Sequence, residues 1–217
     1  MLTVHFVRHG ESAANAGNAT SDPALIPLTD RGWDQARAVA ESFEQAPSLI
    51  VTSPFERAMD TALPTIQKFP GCPVEIWAVE EFTYLSPARC ADTTAAERKP
   101  WVEAYWNSAD PDYEDWPGTE SFSHLIKRAR SVLSRLNGMT GTVVIFGHGQ
   151  FMQAVRWLVV ASPDQIDSHA MRSFRLFDGG HTIKNCDTLS FIHDGQRWIN
   201  LQGAASVETP TQKPVKI

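Results

Sequence analysis

Four short groups of residues in this 217-residue chain have the types needed to handle a phosphoryl group. Arg8-His9-Gly10 follows the apolar run at 2–7. Ser53 and Arg57 follow a second run at 49–52, and Glu80-Glu81 follows a third at 74–79. Gly147-His148-Gly149 follows a fourth at 142–146. Two arginines supply fixed positive charge and planar donor forks that match phosphate oxygens. Two histidines can serve as nucleophile, acid or donor near neutral pH. Glycines beside them allow close backbone approach and offer N–H donors. A nearby carboxyl group of raised pKa can protonate a leaving oxygen. Together these are the parts for phosphoryl transfer through a histidine, with no metal or other cofactor required.

Other phosphate chemistries lack their residues. The chain has no GxxxxGK[ST] loop, no HExxH and no GxSxG elbow. No cysteine is followed by an arginine six positions on, so a cysteine phosphatase loop is missing. Asp110 and Asp112 do not follow an apolar strand, which argues against an aspartyl-phosphate route. Cys72, Cys90 and Cys186 are odd in number and widely spaced, which suits neither a disulfide framework nor a CxxC metal site. They read as inert thiols.

The elements that must position the four groups can be read from hydrophobic periodicity. The runs at 2–7, 49–52, 74–79 and 142–146 read as strands. Residues 30–44 carry Trp33, Ala36, Val39, Ala40 and Phe43 at helical spacing. A second helix starts at about 55, and Pro64 is expected to end or kink it. Residues 119–137 form the clearest helix, with Phe122, Leu125, Ile126, Ala129, Val132, Leu133 and Leu136 on one face and Gly138 as the stop. Helices are also expected at 150–160 and 163–171, and a hairpin over 187–201 around Asp194-Gly195. Strands alternating with helices imply an α/β three-layer sandwich. Its sheet is mostly parallel and doubly wound, with helices on both faces. In such sheets ligands sit beyond the carboxyl ends of the strands, so all four groups should converge on one rim.

Composition bounds the partners. The chain has 19 basic and 25 acidic residues, a formal net charge of −6, with 42% hydrophobic and 20% charged residues. A net acidic globular chain is a poor bulk binder of nucleic acid or anionic membrane, so neither is an expected partner. The apolar stretches at 143–146 and 157–161 are too short to span a bilayer. The start MLTVHFVRHG lacks a basic region followed by an apolar one, which makes the cytoplasm the expected location. Residues 1–204 read as one domain and 205–217 as a C-terminal tail.

The run Val7-Arg8-His9-Gly10-Glu11-Ser12, with Asn15, resembles the signature of the histidine phosphatase superfamily, whose fold is phosphoglycerate mutase-like. Leu28-Thr29 with Gly32 and Gln35-Ala36 resembles that family's LTxxGxxQA segment. Ser53-Pro54-Phe55-Glu56-Arg57-Ala58 with Thr61 resembles its second arginine motif, and Gly118-Thr119-Glu120-Ser121 its GxES helix start. Gly147-His148-Gly149 resembles its second histidine motif. The resemblance implies roles position by position. His9 would be the nucleophile and form a phosphohistidine. Arg8, Arg57 and His148 would hold the phosphoryl oxygens. Asn15 and Gly149 would border the phosphate pocket, and Asn185 falls near a lining position. The family's acid aligns with Glu81, and Glu80 stands beside it. Loss of one such donor costs about 10²–10³ in rate, and acid help adds about 10²–10⁴.

The segment 82–117 is rich in aromatics and follows the expected acid, so it should overhang the site as a cap-like insert. Tyr84, Trp101, Tyr105, Trp106, Tyr113 and Trp116 have two readings. They form either an aromatic wall for an apolar or ring-bearing leaving group, or a satellite core under a long loop. On the first reading Trp106 should touch the substrate. Arg89, Arg98 and Lys99 are candidates for meeting a second anionic group. His5 reads as a packed core residue, and His124, His169, His181 and His193 as surface or structural. The expected activity is a metal-independent phosphomonoesterase acting on a small phosphorylated metabolite. Phosphoglycerate mutase-type transfer and a non-catalytic phosphate-binding module are the alternatives. Ala14 before Asn15 and the short insert count against the mutase, because the family's mutases carry Trp there and a longer insertion.

Overall fold

The computed structural model describes residues 1–201. The expected tail at 205–217, and the last residues of the expected 1–204 domain, lie outside the described residues. The elements run β1 (Leu2–Arg8), α1 (Asp30–Ser42), β2 (Leu49–Thr52), α2 (Glu56–Lys68), β3 (Val74–Ile76), α3 (Pro87–Cys90) and α4 (Ala95–Ser108). They continue with α5 (Phe122–Leu136), β4 (Gly141–Gly147), α6 (Gly149–Ala161), α7 (Ser168–Gly180), β5 (Thr188–His193) and β6 (Trp198–Asn200). The strands form one mixed six-stranded sheet in the order β3-β2-β4-β1-β5-β6. The first four are parallel, and β5 and β6 add antiparallel at one edge.

Alternation along the strands divides the core between the two faces of the sheet. Leu2, Val4, Phe6, Val51, Val143 and Ile145 belong to the larger cluster, with side chains of α5, α6 and α7. Val7, Ile50, Val144 and Phe146 point the other way and pack with Val39 of α1 and Ala62 of α2. A strand's side chains alternate between faces, so both faces of this sheet need a helical cover. The helices are defined by their caps. Thr29 accepts from Gly32 N, Ser121 from His124 N, and Asp167 from Ala170 N, each satisfying a first-turn donor. Among the described residues no helix is long and apolar enough to cross a membrane.

Three expectations need correction. The second helix does not stop at Pro64 but continues to Lys68. A proline deletes one N–H, and the buried face of Ala58, Thr61, Ala62 and Thr65 carries the helix past it. The third strand pairs only over Val74–Ile76, because it is an edge strand. Trp77 and Val79 turn inward and are buried instead. The helix expected at 163–171 lies at Ser168–Gly180, since Asp167 caps it and Ser162 ends α6 in a left-handed conformation.

Candidate active site

The loop after β1 is built by close backbone packing. A Cβ on Gly10 would lie 2.6 Å from Gly32 O, so a side chain at Gly10 would collide with the start of α1. Thr29 N donates to Glu11 O at 2.9 Å, and Glu11 N donates to Gln35 Oε1 at 2.8 Å. From α2, Thr61 Oγ1 accepts from Gly10 N at 2.9 Å. The pairing of Arg8 with Gly147 places the ends of β1 and β4 side by side, and His9 N donates to Gly147 O at 3.0 Å.

This scaffold fixes the His9 ring. Its Nδ1 lies 2.7 Å from Gly10 O. A carbonyl only accepts, so Nδ1 carries the proton and Nε2 keeps its lone pair. Arg57 Nε donates to that Nε2 at 3.1 Å. Burial, reinforced by the Arg57 charge, holds His9 well below the usual imidazole range. His148 is held well below it too, again by burial first and then by Arg57. The two rings stand 5.1 Å apart, and Phe55 sets an edge against His148 at 5.2 Å. His148 Nε2 meets Ser53 Oγ at 2.9 Å, while its buried Nδ1 has no partner among the described residues.

Each arginine is anchored by a backbone carbonyl. Arg8 Nη1 donates to Ile183 O at 2.6 Å, but its buried Nε has no partner among the described residues. Arg57 Nη1 donates to Pro23 O at 2.6 Å. Burial, with Arg8 adding to it, lowers the Arg57 pKa to about 10, which leaves it charged at neutral pH.

Glu81 faces the start of α6. Its Oε1 accepts from Phe82 N at 3.1 Å, Gln150 N at 3.0 Å and Phe151 N at 3.3 Å. All three donors reach Oε1, and Oε2 takes none of them. A Cβ on Gly149 would sit 3.5 Å from Arg8 Nε and 3.8 Å from Glu81 Oε2, so Gly149 lies between these two groups. Glu80 is turned away and pairs with Arg128 at 3.3 Å. Asn15 Oδ1 accepts from Ser12 Oγ at 3.1 Å and from Asn185 Nδ2 at 2.9 Å, and Asn185 Nδ2 also reaches His9 O at 3.0 Å.

Arg8, His9, Asn15, Arg57 and Glu81 line one cavity of about 400 Å³. His148 lies beneath, against His9. The four strand-end groups therefore do converge, although Glu81 is delivered by the turn after β3 rather than by the strand itself. Among the described residues, no three His, Cys, Asp or Glu side chains cluster so as to hold a metal ion.

The chain belongs to the histidine phosphatase superfamily. That superfamily's branch 1 profile matches residues 4–187. A metal-independent phosphoserine phosphatase of Arabidopsis thaliana is 30% identical over 155 residues, which cover 69% of this chain and 65% of the relative, just under two thirds of its length. A "probable phosphoglycerate mutase" of Photorhabdus laumondii is 26% identical over 204 residues, 92% of this chain and 88% of that protein. Among solved structures, an Entamoeba histolytica phosphoserine phosphatase in complex with 3-phosphoglyceric acid superposes with a TM-score of 0.70. It is 19% identical and covers 93% of this chain and 95% of its own. A mycobacterial glucosyl-3-phosphoglycerate phosphatase superposes equally well, with a TM-score of 0.70, 22% identity, and coverage of 91% and 96%. These structures share the histidine phosphatase fold.

The aromatic segment follows neither reading cleanly. Tyr84, Tyr105 and Trp106 are buried in the main core with Phe122 and Phe174, not in a separate satellite. Trp106 does not line the cavity, so the expectation that it touches substrate is corrected: its indole fills the space between α4, α5 and α7. The cavity wall comes from Phe82, Tyr84, Leu85, Pro87 and Val102 instead. Of the three candidate cations, Arg89 pairs with Asp115 and Lys99 with Glu103, and only Arg98 reaches the cavity. All three cysteines are free, and burial with Asp187 beside it pushes the Cys186 thiol up to about 12.

Arg128 was not legible from the sequence. Its Nε and Nη2 bind both oxygens of Glu120 at 2.9 and 2.7 Å, and its Nη1 donates to Ala78 O and Glu80 O at 3.1 and 2.9 Å. The guanidinium also lies 4.8 Å from the Phe151 ring centroid. Its backbone partners lie 48 and 50 positions away, so no local pattern announces them.

Proposed function

We propose that this chain is a phosphomonoesterase that works through a phosphohistidine on a small phosphorylated metabolite. The observation that carries the reading is the fixed tautomer of His9. A neutral ring whose Nε2 keeps its lone pair, accepting a hydrogen bond from Arg57 in the resting site and set beside Arg8 and His148, becomes a nucleophile toward phosphorus once Arg57 turns to the phosphoryl oxygens. The N–P bond forms as the P–O bond to the leaving group breaks. Arg8 Nε and His148 Nδ1, both buried and without a partner among the described residues, supply donors for the phosphoryl oxygens, and Arg57 supplies charge. Glu81 gives its Oε2 proton to the leaving oxygen. In the second step Glu81 takes a proton from water, the water oxygen bonds to phosphorus, the N–P bond breaks, and phosphate leaves. Asn15 and Gly149 border the pocket, and Asn185 braces the His9 loop.

A mutase reading uses the same residues and is favoured by the Photorhabdus relative. Hydrolysis of p-nitrophenyl phosphate in excess EDTA, wild type beside His9→Ala, separates the cases. Hydrolysis in EDTA that vanishes in the variant supports the phosphatase. Wild-type silence, with transfer that depends on a bisphosphoglycerate primer, favours the mutase. Full activity in a folded His9→Ala protein refutes both. The name of the Arabidopsis relative makes O-phosphoserine the first metabolite to assay.

A further inference from the structure

The phosphoryl-binding side chains account for only part of the 400 Å³ cavity. Much of the remaining wall is apolar and includes Ile26, Phe55, Phe82, Leu85 and Val102. One further cation, Arg98, lines the same space, and Glu81 is the only carboxylate among its described lining residues.

Arg98 is held in place with donors to spare. It lies in the first turn of α4, and its Nη2 donates to Thr93 O at 2.7 Å and to Thr20 Oγ1 at 3.4 Å. Thr20 and Thr93 are themselves bridged, so the guanidinium is fixed where the segment after β1 meets the α3–α4 turn. Among the described residues Arg98 forms no ion pair, unlike Arg89 and Lys99 on the same segment. The nearest acid in sequence, Glu97, is occupied in the capping box with Thr94. Asp92 is engaged by Ser21 Oγ at 2.6 Å. Nη1 is bonded to none of these groups. A preorganised guanidinium with free donors, on a mostly apolar wall, is suited to an anion on the substrate.

We propose that Arg98 forms a second anion site, so that the substrate's leaving group is a largely apolar or ring-bearing alcohol carrying its own carboxylate or phosphate. This rests on the reading of the His9 pocket as the phosphoryl site. It makes the enzyme selective for doubly anionic metabolites over simple esters.

The test compares phenyl phosphate with 4-carboxyphenyl, 4-(2-carboxyethyl)phenyl and 4-phosphonophenyl phosphates. Two spacer lengths vary how far the second anion extends from the phosphoryl group, and the phosphonate separates phosphate-like from carboxylate recognition. The readout is the ratio of kcat/KM for each charged ester to that for phenyl phosphate. Arg98→Gln should lower the ratio for at least one charged ester by about 10- to 100-fold, through KM, as expected for a lost charged hydrogen bond. Arg98→Lys should restore part of it, and phenyl phosphate turnover should stay at the wild-type level. An unchanged ratio overturns the proposal. So does an equal loss on all esters, which would mean that Arg98 only braces Thr20 and Thr93. Calorimetry of the same esters in a His9→Ala background, with and without Arg98→Gln, reads binding without turnover. If wild type hydrolyses nothing but binding still depends on Arg98, the phosphatase reading fails and the anion site stands. If binding shows no such dependence, the anion site fails.

Discussion

Mild acid should destabilise this protein through its two buried histidines. His9 and His148 are both held neutral by burial and by Arg57. In the unfolded chain an imidazole takes up a proton as the pH falls through about 6.5. The unfolded state therefore binds more protons, so the stability is complete above that pH and is lost as the pH drops below it. If a ring stays neutral down to pH 5.5, the loss between pH 7.5 and 5.5 is about 1.4 kcal/mol for that ring. Two rings give an upper bound of roughly 2.7 kcal/mol, a large fraction of the 5–15 kcal/mol typical of a domain. The assay is urea unfolding at both pH values in buffers free of phosphate. His148→Asn should lose about 1.4 kcal/mol less than wild type across that interval, because one titrating group is gone. Other titrating groups, including the half-buried His5, are common to both proteins and cancel in the difference. Equal losses in wild type and variant would refute the argument that His148 is buried neutral.

Glu81→Gln should cut kcat by about 10²–10⁴ for esters with poor leaving groups and much less for p-nitrophenyl phosphate. An unchanged leaving-group dependence across substituted phenyl phosphates would move the acid elsewhere. Arg128 holds the Glu80 carbonyl beside Glu81, so Arg128→Lys should impair the same poor-leaving-group esters by about 10- to 100-fold, the effect of one lost charged hydrogen bond. A uniform loss on all esters would show that Arg128 does not act through Glu81. Gly32→Ala drives a Cβ into the Glu11 carbonyl, and a cost of about 2 kcal/mol should lower Tm by about 4–8 °C. A Tm within a degree of wild type would show that the loop can yield.

The sheet and the meeting of Arg8, His9, Arg57 and His148 were legible because each residue directly follows an apolar run or opens the next helix. In a parallel α/β sheet that local fact fixes a position in space. Glu80-Glu81 was legible as a pair after the third apolar run, but only the resemblance selected Glu81, because that strand pairs over three residues and the turn beyond it is irregular. The aromatic segment misled because tyrosine and tryptophan fill a core as readily as they wall a pocket. Composition cannot tell which face of α4 turns inward, and the burial of Trp106 decided it. Arg128 escaped because it acts by contacts distant in sequence, and the hydrogen bond from Gly10 N to Thr61 lies 51 positions away although Thr61 itself stood in the second arginine motif. The second helix ran on past Pro64 because tertiary packing outweighed the local signal to end it there.

The place of β1 in the sheet has a consequence for biosynthesis. This strand is made first, yet both its neighbours, β4 and β5, come from beyond residue 140. At 5–20 residues per second, the roughly 130 residues between β1 and β4 take about 7–27 s to synthesise. For that interval an apolar strand with two open edges waits on the ribosome, a natural target for a holdase chaperone. His9 and His148 come together only when the β1–β4 ladder closes, so a nascent chain truncated before residue 141 carries Arg8, His9, Arg57 and Glu81 but lacks His148 and the strand that aligns β1 with it.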